Sequence, residues 1–324
     1  MSTNNYEKGR SPIIRNFRPG LPERGKIKIG KKGEWRTSKT SGKEFQLPTK
    51  LDHFLVTTME RDNDNNFVKD AEIHKMLGEK PKRIPVYLMY NDIALNFQCR
   101  YTCYRGRTLW CSGDGEGAFR DGKETECPCD HLDIDYKGEL KCKPYGVLAV
   151  IIKGSEFVGG VWKFRTTSFN TIRGLLSSMA LIKGITHGQL SGIPLDLTIQ
   201  PKTCIPPDGK SQTVYVVGLE YKGDPSSLLE AGYKKLLTDA SHIQRMEKIE
   251  EEAKKNIDVE VPDNEVLEEF YPEQVVKEEP PPLAEPEKKE EITEEGEKPT
   301  AKTTERKAEV EEENGQPEDL EISF

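Results

Sequence analysis

The chain has 324 residues, with 56 acidic and 48 basic side chains and a net charge of −8. That sum conceals an asymmetry: residues 246–324 hold 28 Asp and Glu against 10 Lys and Arg, leaving residues 1–245 with 28 against 38, a net of +10. A basic body joined to an acidic tail predicts a protein or nucleic-acid partner, and no segment offers the ~20 apolar residues of a bilayer span.

The N-terminal MSTNNYEKGR lacks the apolar run of a signal peptide, so a cytoplasmic protein is expected. In that compartment thiols stay reduced, and clustered cysteines favour a metal over disulfides.

Residues 1–50 read as a basic, Gly- and Pro-rich arm, with a short strand around Ile27 and Ile29. Strands are predicted at His53–Thr58 and Ile84–Leu88, with a short helix near Lys69–Leu77 between them. From about 99 to 144 the apolar period is lost among Gly, Asp and Cys, which predicts an inserted loop without a hydrophobic core of its own. Strand character returns at Gly146–Ile152 and Val161–Thr166.

A helix capped by Ser168 should follow, with Ile172, Leu175, Leu176, Met179 and either Ala180 or Ile182 on its apolar face. Leu195–Lys202 and Thr213–Tyr221 flank the turn Pro206-Pro207-Asp208-Gly209 and predict a hairpin. Asp224 as cap and Pro225 at the first position open a last helix, whose spacing of Leu229, Tyr233, Leu236, Ala240 and Ile243 runs to about residue 250. The expectation is an α+β fold: a strand-rich antiparallel body over 51–255 with two or three helices and a Cys-rich zinc loop inserted at about 99–144. Residues 256–324, rich in Glu, Lys and Pro and poor in aromatics, are expected to be a disordered acidic tail. Such a segment cannot bury enough apolar surface to offset a backbone ordering cost of roughly 1–2 kcal/mol per residue.

Six of the seven cysteines fall between 99 and 142: Cys99, Cys103, Cys111, Cys127, Cys129 and Cys142. Tetrahedral zinc takes four soft ligands, and thiolates on glycine-rich turns supply them. Cys111, Cys127, Cys129 and Cys142 place one cysteine on either side of a central C-x-C, while Cys99, Cys103 or His131 can replace one of them. Four protein ligands leave no open position, so the zinc is expected to be structural. Catalysis has little support. The five histidines (His53, His74, His131, His187 and His242) show no metalloprotease spacing, and G-x-S-x-G and G-x-x-x-x-G-K-[ST] are absent from the sequence. Gly113-Asp114-Gly115-Glu116-Gly117 lacks the further acids of a calcium loop and reads as a turn. No enzymatic activity and no small-molecule substrate are expected.

The strings GLPERGKIKIG (20–30), KLDHFLVTT (50–58), WCSGDGEGA (110–118), CPC (127–129), KCKP (141–144) and GGVWKFRTTSFNTIRGL (159–175) occur in one order. Together, over roughly residues 12–222, they resemble the recombination directionality factors that phages use with large serine integrases. The resemblance puts that family's cysteine pattern on Cys111, Cys127, Cys129 and Cys142. It also implies a phage or prophage protein that binds the integrase and favours excision over integration without chemistry of its own.

DNA is a further expected partner. Arg24, Lys26, Lys28, Lys31, Lys32, Trp35, Arg36, Lys39 and Lys43 mix bases with aromatic rings in the arm. The acidic tail ends in Leu320, Ile322 and Phe324, as tails of single-strand binders do, which makes a phage single-stranded DNA-binding protein the alternative reading.

Overall fold

The computed structural model describes residues 20–31, 33, 35–37, 44–46, 49–63, 66–105, 108–129, 142–155, 159–204, 211–239, 243–256 and 270. These belong to one compact unit, 1–278. The strands are β1 (Glu23–Lys31), β2 (Trp35–Thr37), β3 (Glu44–Gln46), β4 (Thr49–Arg61), β5 (Phe67–Lys69), β6 (Arg83–Tyr87), β7 (Phe97–Arg105), β8 (Thr108–Gly113), β9 (Gly117–Arg120) and β10 (Lys123–Glu126). They continue with β11 (Lys143–Ile152), β12 (Val161–Thr166), β13 (Leu195–Cys204) and β14 (Gln212–Glu220). The helices are α1 (Ala71–Leu77), α2 (Ile93–Asn96), α3 (Phe169–Ile185), α4 (Pro225–Asp239) and α5 (Ile243–Asn256). Lys32, Lys39, Lys43, His131, His242, the residues 206–209 and the expected tail, Asn256 and Phe270 aside, lie outside the described residues.

One large sheet runs in the order β10-β9-β8-β7-β11-β12-β1-β4-β5, and the far end of β11 passes to β6, which pairs with β13 and through it β14. Its named pairs are antiparallel except for β1 with β12, where Gly25, Lys26 and Ile27 run parallel to Trp162, Lys163 and Phe164. The sheet is therefore mixed, and β1, which holds the strand expected around Ile27 and Ile29, is an interior strand between β12 and β4. An alternating pattern reveals that a segment is a strand but not the direction of its neighbour, and here that neighbour lies far along the chain.

The segment after Cys99 also departs from expectation. It forms β7 to β10, a meander that extends the main sheet, instead of a separate inserted loop. Backbone ladders hold these short strands, and ladders leave no apolar period in a sequence.

The core lies between the inner face of the sheet and α3. Ile172, Leu175, Met179 and Ile182 pack with Phe54, Phe97, Leu148, Trp162, Phe164, Leu197 and Val217. Ser168 caps α3 as expected, its Oγ accepting from Thr171 N, and Ala180 is left exposed. Gly146 brings β11 close to β7: a Cβ there would stand 2.8 Å from the Phe97 ring.

The last helical stretch is described as α4 and α5, and residues 240–242 between them lie outside the described residues. Asp224 caps α4 by accepting from Ser227 N at 2.9 Å, as expected. Its buried side is Leu228 and Gly232, one position away from the expected stripe, so Tyr233 is exposed. Gly232 explains the offset, because a Cβ would stand 2.8 Å from Thr186 Cα and α4 therefore meets the end of α3 backbone to backbone. α5 is pinned to the loop before α2: Glu250 accepts from Asn91 N at 2.5 Å, and Lys254 pairs with Asp92 at 2.5 Å.

Candidate functional site

β7, β8, β9 and the start of β11 lie side by side, and their register lines up one row of side chains. Cys103 on β7 faces Cys111 on β8, and Cys111 faces Arg120 on β9. Lys143 pairs with Thr102, so one step further along both chains Cys142 meets Cys103, and the two thiols hydrogen-bond. A bulge follows at once: the next pair is Tyr104 with Leu109, which leaves Trp110 as an extra residue on β8. The bulge keeps Cys103 and Cys111 on one face and sends Tyr104 and Leu109 to the other.

Cys127 and Cys129 close on this row from the end of β10. Cys127 N donates to Glu116 O at 3.1 Å, and the Cys127–Pro128 bond is cis. A Cβ on Gly113 would approach Cys127 Sγ to 2.9 Å, so the hairpin between β8 and β9 can pass this sulfur only with glycine. Asp114 makes the turn by accepting from Glu116 N and Gly117 N, both at 2.9 Å, and those amides lower its carboxyl pKa. Its carboxylate serves the backbone, in keeping with a turn.

The Arg120 guanidinium binds the thiols directly. Its Nη2 donates to Cys129 Sγ at 2.7 Å; hydrogen bonds to Cys111 and then Cys129 raise its own pKa. It also stands 4.9 Å from the Trp110 ring centroid. The hydrogen bond from Cys142 lowers the Cys103 pKa, and the same bond, with burial, raises that of Cys142. Burial raises Cys127. Thus Cys103, Cys111, Cys127, Cys129 and Cys142 share one electrostatic neighbourhood around a cation of the chain.

Cys111, Cys127, Cys129 and Cys142 lie in one region of the sheet, with Cys103 beside them. Cys103, which spacing offered only as a substitute, joins them through pairing across β7 and β8. Cys99 is separate: it packs against the main core, and burial pushes its thiol up to about 11. Among the described residues no three His, Cys, Asp or Glu side chains converge as a metal-holding group. Five thiols lie near one partly buried guanidinium, whose Nε lacks a hydrogen-bond partner among the described residues.

The arm residues are distributed differently. Arg24 lies over the Trp162 ring at 5.3 Å, while Lys26, Lys28 and Arg61 point at the Phe67 ring from 3.8, 4.9 and 4.4 Å. Lys26 is buried and Lys31 is exposed at the end of β1. Trp35 and Arg36 belong to β2, which pairs with β3 in a separate small sheet. Arg61 and Phe67 were not singled out in the sequence; they join this group through pairing of β4 with β5. Beside them Arg165 makes a two-pronged ion pair with Glu23 at 2.8 and 2.6 Å, with Lys163 3.7 Å from the same carboxylate.

Residues 24–222 match the family described as Gp3-like, recombination directionality factor-like, and the chain belongs to that family. The match spans the sheet from β1 to β14 together with α3 and the thiol row. Proteins of this family are generally non-catalytic accessories that act with an integrase. No curated protein and no solved structure matches the chain. Among the described residues no helix is long and apolar enough to cross a membrane.

Proposed function

We propose that this protein binds a large serine integrase and shifts it from integration towards excision, doing so by contact alone. The observation that carries this reading is the family match, which covers the whole sheet. A directionality factor needs only a surface that prefers one arrangement of its partner. A preference of 1–3 kcal/mol changes an equilibrium by roughly 5–150-fold.

The test is recombination in vitro by a purified serine integrase on DNA carrying the two hybrid attachment sites, with and without this protein. Excision should require the protein, and integration between the unrecombined sites should fall when it is added. Unchanged recombination with every integrase tried, together with no co-elution, would overturn the reading. Tight, integrase-independent binding of single-stranded DNA would favour the single-strand binder instead.

Zinc belongs to the same proposal as a structural part. Cys111, Cys127, Cys129 and Cys142 would hold it, with Cys103 able to exchange for one of them. Bound there, the ion would draw the thiols to thiolates and fasten β7 to β10 and the start of β11 to one another. Arg120 then acts beyond the ligands, its N–H groups holding the Cys111 and Cys129 sulfurs in place.

A further inference from the structure

The face of the large sheet turned away from α3 is nearly as buried as the core. By register, Lys26, Thr57, Lys163, Val147, Tyr145 and Arg100 share that face. Lys26 is 2% exposed, Thr57 1%, Lys163 8% and Tyr145 1%. Something polar is asked of whatever lies there, since Thr57 Oγ1 and Arg100 Nε are buried with no hydrogen-bond partner among the described residues.

A residue from beyond α5 is seated on this face. Phe270 packs on Tyr104, Leu109, Tyr145 and Val147, edge to face with the Tyr145 ring at 6.3 Å and 71°. Lys143 Nζ donates to its carbonyl at 3.3 Å. In sequence Phe270 stands within residues 258–276, which carry seven acidic side chains and no basic one. Phe270 thus belongs to an acidic stretch of sequence, and the sheet face that seats it combines tyrosines with Arg100 and Lys143.

We propose that this face is a docking surface for an acidic peptide segment bearing an aromatic side chain, and that Phe270 occupies the aromatic position in cis. A partner protein reaches the surface by presenting the same chemistry and displacing Phe270. The ring supplies the desolvated anchor, and the acids supply attraction to the cationic face. In cis the anchor has the advantage of high effective concentration, so a partner must exceed it in affinity or present more than one contact. The inference needs no integrase: it concerns this chain and a peptide, and it stands or falls separately from the excision reading.

The test uses the full chain and a fluorescein-labelled peptide copying its own residues 258–278. In fluorescence anisotropy the Phe270→Ala chain should bind the peptide about tenfold or more tightly than the wild-type chain, in line with the loss of one buried aromatic anchor. The peptide carrying Phe270→Ala should lose that binding, and added salt should weaken it. Equal binding to both chains, or none to a folded Phe270→Ala chain, overturns the proposal. Binding of a single-stranded oligonucleotide in preference to the peptide, lost on Lys143→Glu, overturns it in favour of nucleic acid.

A second measurement does not depend on that variant folding. A photo-crosslinking phenylalanine analogue at position 270 should attach within the same chain to Tyr104–Leu109 or Tyr145–Val147. Attachment elsewhere would show that the seat is not real.

Discussion

Asn96 shows how one buried side chain can fix a loop. It is 1% exposed; its Oδ1 accepts from Met89 N and Tyr90 N, and its Nδ2 donates to Tyr90 O and Asp92 O. All four bonds serve the turn between β6 and α2, which a four-residue helix could not hold alone. Asn96→Asp keeps the shape but sets an oxygen against two carbonyls, and should lower stability by about 2–3 kcal/mol in urea melts. A change within 0.5 kcal/mol, roughly that of an ordinary surface substitution, would show that the network is dispensable.

The thiols can be separated at the same scale. Cobalt-loaded protein should show thiolate charge-transfer absorption that Cys111→Ser or Cys127→Ser weakens and Cys99→Ser leaves unchanged, because Cys99 packs in the main core. Cys103→Ser is the informative variant: loss of the band would make Cys103 a ligand and one of the favoured four a bystander. No band in the wild-type protein, with no zinc by elemental analysis, would remove the metal proposal.

At the scale of elements, α5 is attached through Asp92 and Glu250. Burial works to raise Asp92, but the Lys254 ammonium and the Leu95 and Ala94 amides outweigh it and hold the carboxyl below its ordinary value. A depressed folded-state pKa gives stability that is present above the ordinary Asp value, about 3.9, and is lost as pH falls below it. Hydrogen exchange over residues 243–256 should therefore be slow near neutral pH and quicken below about pH 4, ahead of α3. Simultaneous loss of both helices would instead mean that the pair does not govern docking.

The same scale shows what could be read in advance. Ser168 and Asp224 mark helix starts by chemistry confined to a few neighbouring residues, and both cap as expected. The β13–β14 pairing follows from two strand-like runs either side of the sequence Pro-Pro-Asp-Gly. By contrast, β8, β9 and β10 have six, four and four residues and contain Gly, Lys and Glu; neighbouring ladders make them strands. Cys103 and Phe270 owe their places to contacts across the sheet, which spacing along the chain does not encode.

At the scale of the whole molecule, the sheet carries two kinds of chemistry on opposite faces at one end. The thiol row shares the core's side of β7 and β11, and Phe270 sits on the other. Cys142 and Lys143 are adjacent, so the strand that presents a sulfur to Cys103 also presents an ammonium to the Phe270 carbonyl. A partner that lifts Phe270 therefore acts on the same short stretch of backbone that places Cys142.

The parallel pairing of β1 with β12 has a consequence for the order in which the molecule can be made. β1 leaves the ribosome first, yet its partner Val161–Phe164 follows more than a hundred residues later. At synthesis rates of roughly 5–20 residues per second this interval lasts on the order of ten seconds. Until then β1 and β4 can form an antiparallel pair, but one flank of β1 remains an open edge. Its alternation of Lys26 and Lys28 with Ile27 and Ile29, with Lys31 at its end, gives the waiting strand positive charge, which discourages neighbouring nascent chains from adding a strand there.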